Sequence, residues 1–127
     1  MRYLLDTHIV LWFAQGSERL PPAALDAIMD PRVSCDVSMA SAWEVAIKLS
    51  LGKLELDGGA SGFFTLLDDN GFGLVPVDRE AVEAVETLPF HHRDPFDRLL
   101  IATAMSRGLT LITVDTAFSA YGIDTLP

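Results

Sequence analysis

Asp97 opens a stretch that is otherwise built for burial. In "HRDPFDRLLIATA", His92 to Ala104, it is followed by Leu100, Ile101 and Ala104, and then by Met105. Those are the i+3, i+4, i+7 and i+8 positions, one apolar face of an α-helix. A carboxylate heading an inward stripe needs a partner, because an unpaired buried charge is costly. Three more acids stand in comparable places. Asp6 ends "RYLLD", Glu44 lies in the mostly apolar "MASAWEVAIKLSLG", and Asp115 follows "LTLITV". Four carboxylates brought together would repel one another, and some would stay protonated. A divalent cation removes that conflict. Mg²⁺ takes oxygen ligands and typically sits between one or two carboxylates and a phosphate. Such a site can activate water, neutralise a phosphodiester and stabilise the leaving oxygen.

Each acid also has an ordinary reading. Asp6 could cap the helix that follows it. Ser41, Glu44 and Lys48 could form a solvated stripe, with a Glu44–Lys48 pair across one helix turn worth about 0.2–0.5 kcal/mol. Asp94-Pro95-Phe96-Asp97 is a good helix start, with Asp94 as cap and Pro95 at the first helical position. Asp115 could be a turn or cap residue before "TAFSAYG". The apolar face beneath Asp97 points that acid inward, and leaves the capping to Asp94 and Pro95.

The elements needed to bring these acids together alternate in type. "RYLLD", "VSCDVS", "GLVPV" and "LTLITV" read as short apolar strands, and "GIDTLP" can add a last one. Helices are expected from about Ile9 to Gln15, over "PPAALDAIMDP", "MASAWEVAIKLSLG", "GFFTLLDDNG" and "REAVEAVETLP", and from the Asp94 cap to Gly108. "DGGASG", Asp57 to Gly62, reads as a loop entering a helix. Strands alternating with helices predict a parallel sheet covered on both faces. Ligands of such sheets bind beyond the carboxyl ends of the strands. Three of the acids fall at strand ends or helix starts, and the fourth on a helix leaving that same edge.

With 127 residues, half of them hydrophobic, the chain is the size of one domain spanning 1–127 and can build a core unaided. The apolar runs are too short to span a membrane. No secretory signal is apparent at the start, so a cytoplasmic location is expected. The single cysteine, Cys35, excludes an internal disulfide and a cysteine-rich zinc cage and reads as a small buried hydrophobe. A net charge of −9 argues against binding nucleic acid through a broad basic surface. It leaves room for a nuclease acting through a bound cation, and it favours a basic protein partner.

Taken as an ordered set, "YLLDTHIVLWF", "SAWEVAIKLSLGKL", "HHRDPFDRLLIATA" and "LTLITVDTAF" resemble the PIN-domain ribonucleases of the VapC toxin type, over nearly the whole chain. The resemblance implies a three-layer α/β/α fold and a Mg²⁺- or Mn²⁺-dependent endoribonuclease. It implies an acidic cluster carried by Asp6, Glu44, Asp97 and Asp115, with Asp6 and Asp97 contacting the metal most directly. Thr7, Ser41 and Thr113 fall where small hydroxyls support that cluster, and Asp94 could share the role of Asp115. The resemblance also implies an RNA substrate, an antitoxin of the VapB kind that blocks the site, and a homodimer.

The remaining polar and aromatic residues are given plainer roles. His8 is expected to pack in the first helix, and His91 and His92 to face solvent in their loop, with no spacing that suits zinc. Trp12, Phe13, Trp43, Phe63, Phe64 and Phe72 are assigned to core or interface. Lys48, Arg93 and Arg98 are candidate phosphate contacts, and Lys53 a surface charge. Two alternatives differ in class. A flavodoxin-like phosphoacceptor domain would want a second acid after Asp6, where Thr7 stands, and a lysine after "LTLITV", which is absent. A catalytically silent module that binds a partner would have no need of four acids.

Overall fold

The computed structural model describes residues 2–126. Five strands form one sheet: β1 (Arg2–Leu5), β2 (Ser34–Ser38), β3 (Gly73–Val75), β4 (Thr110–Ile112) and β5 (Thr125–Leu126). Their order across the sheet is β3-β2-β1-β4-β5, and every pairing is parallel. The expected parallel sheet is therefore present, including the last strand. "GLVPV" contributes only its first three residues, because Pro76 removes an N–H that the ladder would need.

Alternation along the strands builds two cores. Leu5, Ile112, Cys35 and Val37 turn to one face, where they meet Ile9, Val45 and Phe63 from helices α1 (Thr7–Gln15), α3 (Met39–Ser50) and α4 (Gly59–Asp69), with Ala24 of α2 (Pro22–Met29). Leu4 and Leu111 turn to the other face, against Leu100, Ile101 and Ala104 of α6 (Pro95–Arg107), with Phe118 from the 3₁₀ helix Thr116–Tyr121. Helix α5 (Arg79–Thr87) packs along α6. The result is three layers, α/β/α. The Asp97 stripe is buried at Leu100, Ile101 and Ala104, but Met105 lies half-exposed where the helix nears its Gly108 cap.

Two starts differ from expectation. Helix α1 begins at Thr7, so Asp6 is its cap as well as the end of β1. Helix α4 begins inside "DGGASG" at Gly59, and a Cβ on Gly62 would lie 2.0 Å from the Asp57 carbonyl, so only glycine fits there.

Because all strands run the same way, their carboxyl ends share one edge. Strand β1 is central, with β2 on one side and β4 on the other. The chain thus reverses its direction of growth at β1, and the crevice lies between β1 and β4. The Asp6 N–H donates to the Ile112 carbonyl at 3.0 Å, which ties the first acid to the end of β4.

Candidate metal centre

Asp6 enters the site from the end of β1 and is almost fully buried, at 2 % exposure. It performs two roles at once. Its Oδ1 accepts from the His8 N–H at 3.4 Å, a weak cap, and its Oδ2 accepts from the Thr113 hydroxyl at 2.7 Å. Thr113 Oγ1 in turn accepts the Asp115 N–H at 3.0 Å. A single hydroxyl therefore links the ends of β1 and β4. Burial raises the Asp6 carboxyl above its usual range, and the Thr113 hydrogen bond and nearby His8 only partly offset this.

Glu44 comes from the second turn of α3, after Ser38 caps that helix by accepting from the Ala40 N–H at 3.0 Å. The Glu44–Lys48 pair exists, with Nζ 3.1 Å from Oε2. The stripe around it is buried rather than solvated, since Ser41 and Glu44 both lie inside. Glu44 Oε1 is buried with no hydrogen-bond partner among the described residues. Ser41 accepts from the Thr7 hydroxyl at 2.8 Å, so those two hydroxyls join α1 to α3 rather than touching an acid.

Asp97 enters from the first turn of α6. Asp94 does the capping: its Oδ1 accepts the N–H groups of Phe96 and Asp97 at 2.8 and 3.2 Å. That leaves the Asp97 carboxylate free to face inward, as its apolar stripe requires. Burial pushes its carboxyl up to about 7, and the charges of Asp6, Asp94 and Glu44 push the same way. The influence of three other acids on one carboxyl is the electrostatic mark of a shared site.

Asp115 caps the 3₁₀ helix, its Oδ1 accepting the Ala117 N–H at 2.9 Å. Its Oδ2 lies 2.8 Å from His92 Nε2, which is also 3.1 Å from Asp97 Oδ2. His92, Asp97 and Asp115 thereby offer three possible ligand atoms within 4.8 Å of one another, a set that Asp6 and Glu44 do not join.

The model of the PIN domain family matches residues 3–124. The chain belongs to the PIN domain family. None of the curated proteins matches it. Its fold is similar to those of several solved toxin–antitoxin proteins. The structure of VapBC2 from Rickettsia felis bound to a promoter DNA fragment matches at 14% identity, covering 99% of this chain and 98% of that one, with a TM-score of 0.71. VapBC-1 from nontypeable Haemophilus influenzae matches at 15% identity over 99% and 97% of the two chains, TM-score 0.71. Mycobacterium tuberculosis VapC20, described as a sarcin-ricin loop cleaving toxin, matches at 16% identity over 95% of each chain, TM-score 0.69.

Several smaller expectations for this PIN domain are corrected. His92 does not face solvent; its ring is 15 % exposed and sits between two acids. The sign of this was its place two residues before the Asp94 cap, inside the turn that carries Asp97 into the site. Arg98 is not a phosphate contact. It is buried, and its guanidinium donates to the carbonyls of Val85, Leu88, Pro89 and His92 at 2.9–3.3 Å beneath the ring of Phe90. Lys48 is engaged by Glu44. Of the two places expected for Trp43, the structure excludes the core: it is 64 % exposed and edge-to-face with Phe96. His8 stands half-exposed, with Nδ1 4.0 Å from Asp6 Oδ1. Cys35 is buried as expected.

Proposed function

We propose that this PIN domain is a divalent-metal-dependent endoribonuclease and the toxin of a toxin–antitoxin pair. One observation carries the reading. Asp6, Glu44 and Asp97 are buried or nearly so around one crevice, with Glu44 Oε1 unpartnered and the Asp97 carboxyl pushed up to about 7. An all-oxygen set of three acids met by a single lysine, Lys48 on Glu44, suits a hard cation such as Mg²⁺ or Mn²⁺. When bound, that cation supplies an activated water and neutralises the scissile phosphate.

In this reading Asp6 and Asp97 hold the cation, and Glu44 and Asp115 stand beside them. The chain's own contribution is orientation. Thr113 fixes the Asp6 carboxylate through Oδ2. Asp94 takes up the free N–H groups of α6 and leaves Asp97 unencumbered. Lys48 occupies one oxygen of Glu44 and leaves the other available. RNA as substrate, an antitoxin as inhibitor, a homodimer and a cytoplasmic site of action follow the same reading. It is supported by the likeness to toxins solved within VapBC complexes and to VapC20. A chain with twice as many acids as bases suits a basic antitoxin segment.

The test is cleavage of RNA by the purified, antitoxin-free protein with Mg²⁺, with Mn²⁺ and with EDTA, beside Asp97→Asn purified identically. Cleavage should require metal and be lost in the variant. Metal-independent cleavage, or equal cleavage by both proteins, overturns the proposal.

A further inference from the structure

We infer that His92 is a positioning residue of the acidic cluster, which holds Asp115 against Asp97 by donating from Nε2, and that it is not a ligand of the cation. Its three-way proximity to Asp97 and Asp115 would suit either role. The hydrogen bonds decide between them. His92 Nδ1 accepts the Asp94 N–H at 3.1 Å. A ring nitrogen that accepts carries no proton, so the ring proton resides on Nε2. Nε2 therefore donates, and the acceptor it reaches is Asp115 Oδ2 at 2.8 Å, with Asp97 Oδ2 close by.

A metal-bound imidazole has the opposite polarity. It turns a bare nitrogen to the ion and gives its other N–H to an acceptor. Here the other nitrogen faces an N–H donor. Ligation through Nε2 would move the ring proton to Nδ1 and set two N–H groups against each other. A flipped ring would set a C–H against the same donor. The turn around His92 resists adjustment. Its N–H donates to the Tyr121 hydroxyl oxygen at 2.8 Å, its carbonyl accepts from Arg98 at 3.3 Å, and its ring lies edge-on to Phe118 with centroids 5.4 Å apart.

The effect falls on Asp115. Its Oδ1 is taken by the Ala117 N–H and its Oδ2 by His92, so both oxygens are fixed. Because Asp115 follows β4 and Asp97 heads α6, His92 ties the end of that strand to the start of that helix at the crevice.

The effect on cleavage rests on the proposed function, but the ring assignment does not. Long-range ¹H–¹⁵N spectra of the imidazoles in the full chain should show His92 Nδ1 unprotonated and Nε2 protonated, both without metal and with saturating Mg²⁺. A proton on Nδ1 in either state overturns the inference, as does loss of the Nε2 proton when Mg²⁺ is added. Carboxyl carbon shifts in the same samples report whether Mg²⁺ binds. A protonated Nε2 with no carboxyl response to Mg²⁺ would support the assignment and overturn the nuclease reading instead. In cleavage assays, His92→Ala should lower kcat by about 10–100-fold with KM for RNA unchanged. His92→Gln, whose amide can place an N–H near Nε2, should restore most of that loss. Full activity in His92→Ala, or no difference between the two variants, overturns the positioning role.

Discussion

Two inward-facing aspartates of this molecule, Asp36 buried and Asp97 nearly so, are treated in opposite ways. Asp36, in the middle of β2, is paired with the Arg2 guanidinium from the start of β1. Gly73 on β3 leaves room for it, since a Cβ there would lie 2.2 Å from Asp36 Oδ1. Asp97, at the carboxyl edge, has no lysine or arginine against it among the described residues, only the His92 ring. Other acids surround it instead. The fold can bring its own cation to a buried acid, and does so away from the crevice. At Asp97 it withholds one, although Lys48 reaches the neighbouring Glu44. On the proposed function, Asp97 is the acid whose charge a cation from outside the chain would neutralise.

The comparison can be broken most directly at Asp97. Asp97→Asn should lower RNA cleavage by about 10²–10³-fold, read in single-turnover assays, whereas Asp36→Asn should leave cleavage per folded molecule unchanged. Equal losses from both would erase the distinction. The same acid sets a pH dependence. Its carboxyl stands at about 7 in the folded chain, against an ordinary 3.8. Between those values the folded form binds more protons than the unfolded form. Stability without metal should therefore be greatest below about pH 4 for this group's contribution, fall as pH rises to about 7, and level off above it. Melting curves across that range should lose this slope in Asp97→Asn, and Mg²⁺ should raise Tm most on the alkaline side.

A third measurement sharpens the contrast between the chain's own cations. Arg98→Met removes the donor to four carbonyls and should destabilise by about 2–3 kcal/mol in urea unfolding. Lys at that position should recover only part of this, because an ammonium cannot match the spread of a guanidinium. The smallest effect is expected at the Asp36–Arg2 pair. Arg2 is more than half exposed, so Arg2→Met should cost about 1 kcal/mol. A much larger loss would mean that Asp36, not the crevice, holds the dominant buried charge.

What was legible in the sequence follows from how local its cause is. Period-two and helical patterns, proline and glycine stops and the Asp94-Pro95 start depend on neighbours in the chain. They placed the parallel sheet, both helical layers and the inward turn of Asp97. The acids could be assigned to one edge because a parallel sheet has only one carboxyl edge. His92 and Arg98 were misread for a complementary reason. The partner that reveals His92 is Asp115, 23 residues away, and Arg98 is held by carbonyls, which leave no trace in residue type. A cation in a first helical turn looks like surface charge until the loop folds over it. Core and interface could not be told apart for Trp43, because an apolar helix gives no sign of which face stays uncovered.

The hydroxyl bridge between Thr113 and Asp6 spans 107 positions. It has a consequence for timing. Contacts between distant parts of a chain form only after the loop between them has closed. Synthesis runs from the amino terminus, so Asp6 emerges long before the residues that orient it. While the chain is still tethered to the ribosome with β4 unmade, the first acid has neither Thr113 nor the Ile112 carbonyl, and α6 has no completed sheet to rest on. The acidic centre is thus assembled at the end of folding, when the first and last quarters of the chain have met. A half-made copy carries Asp6 and Glu44 but neither Asp97 nor Asp115, and so no site.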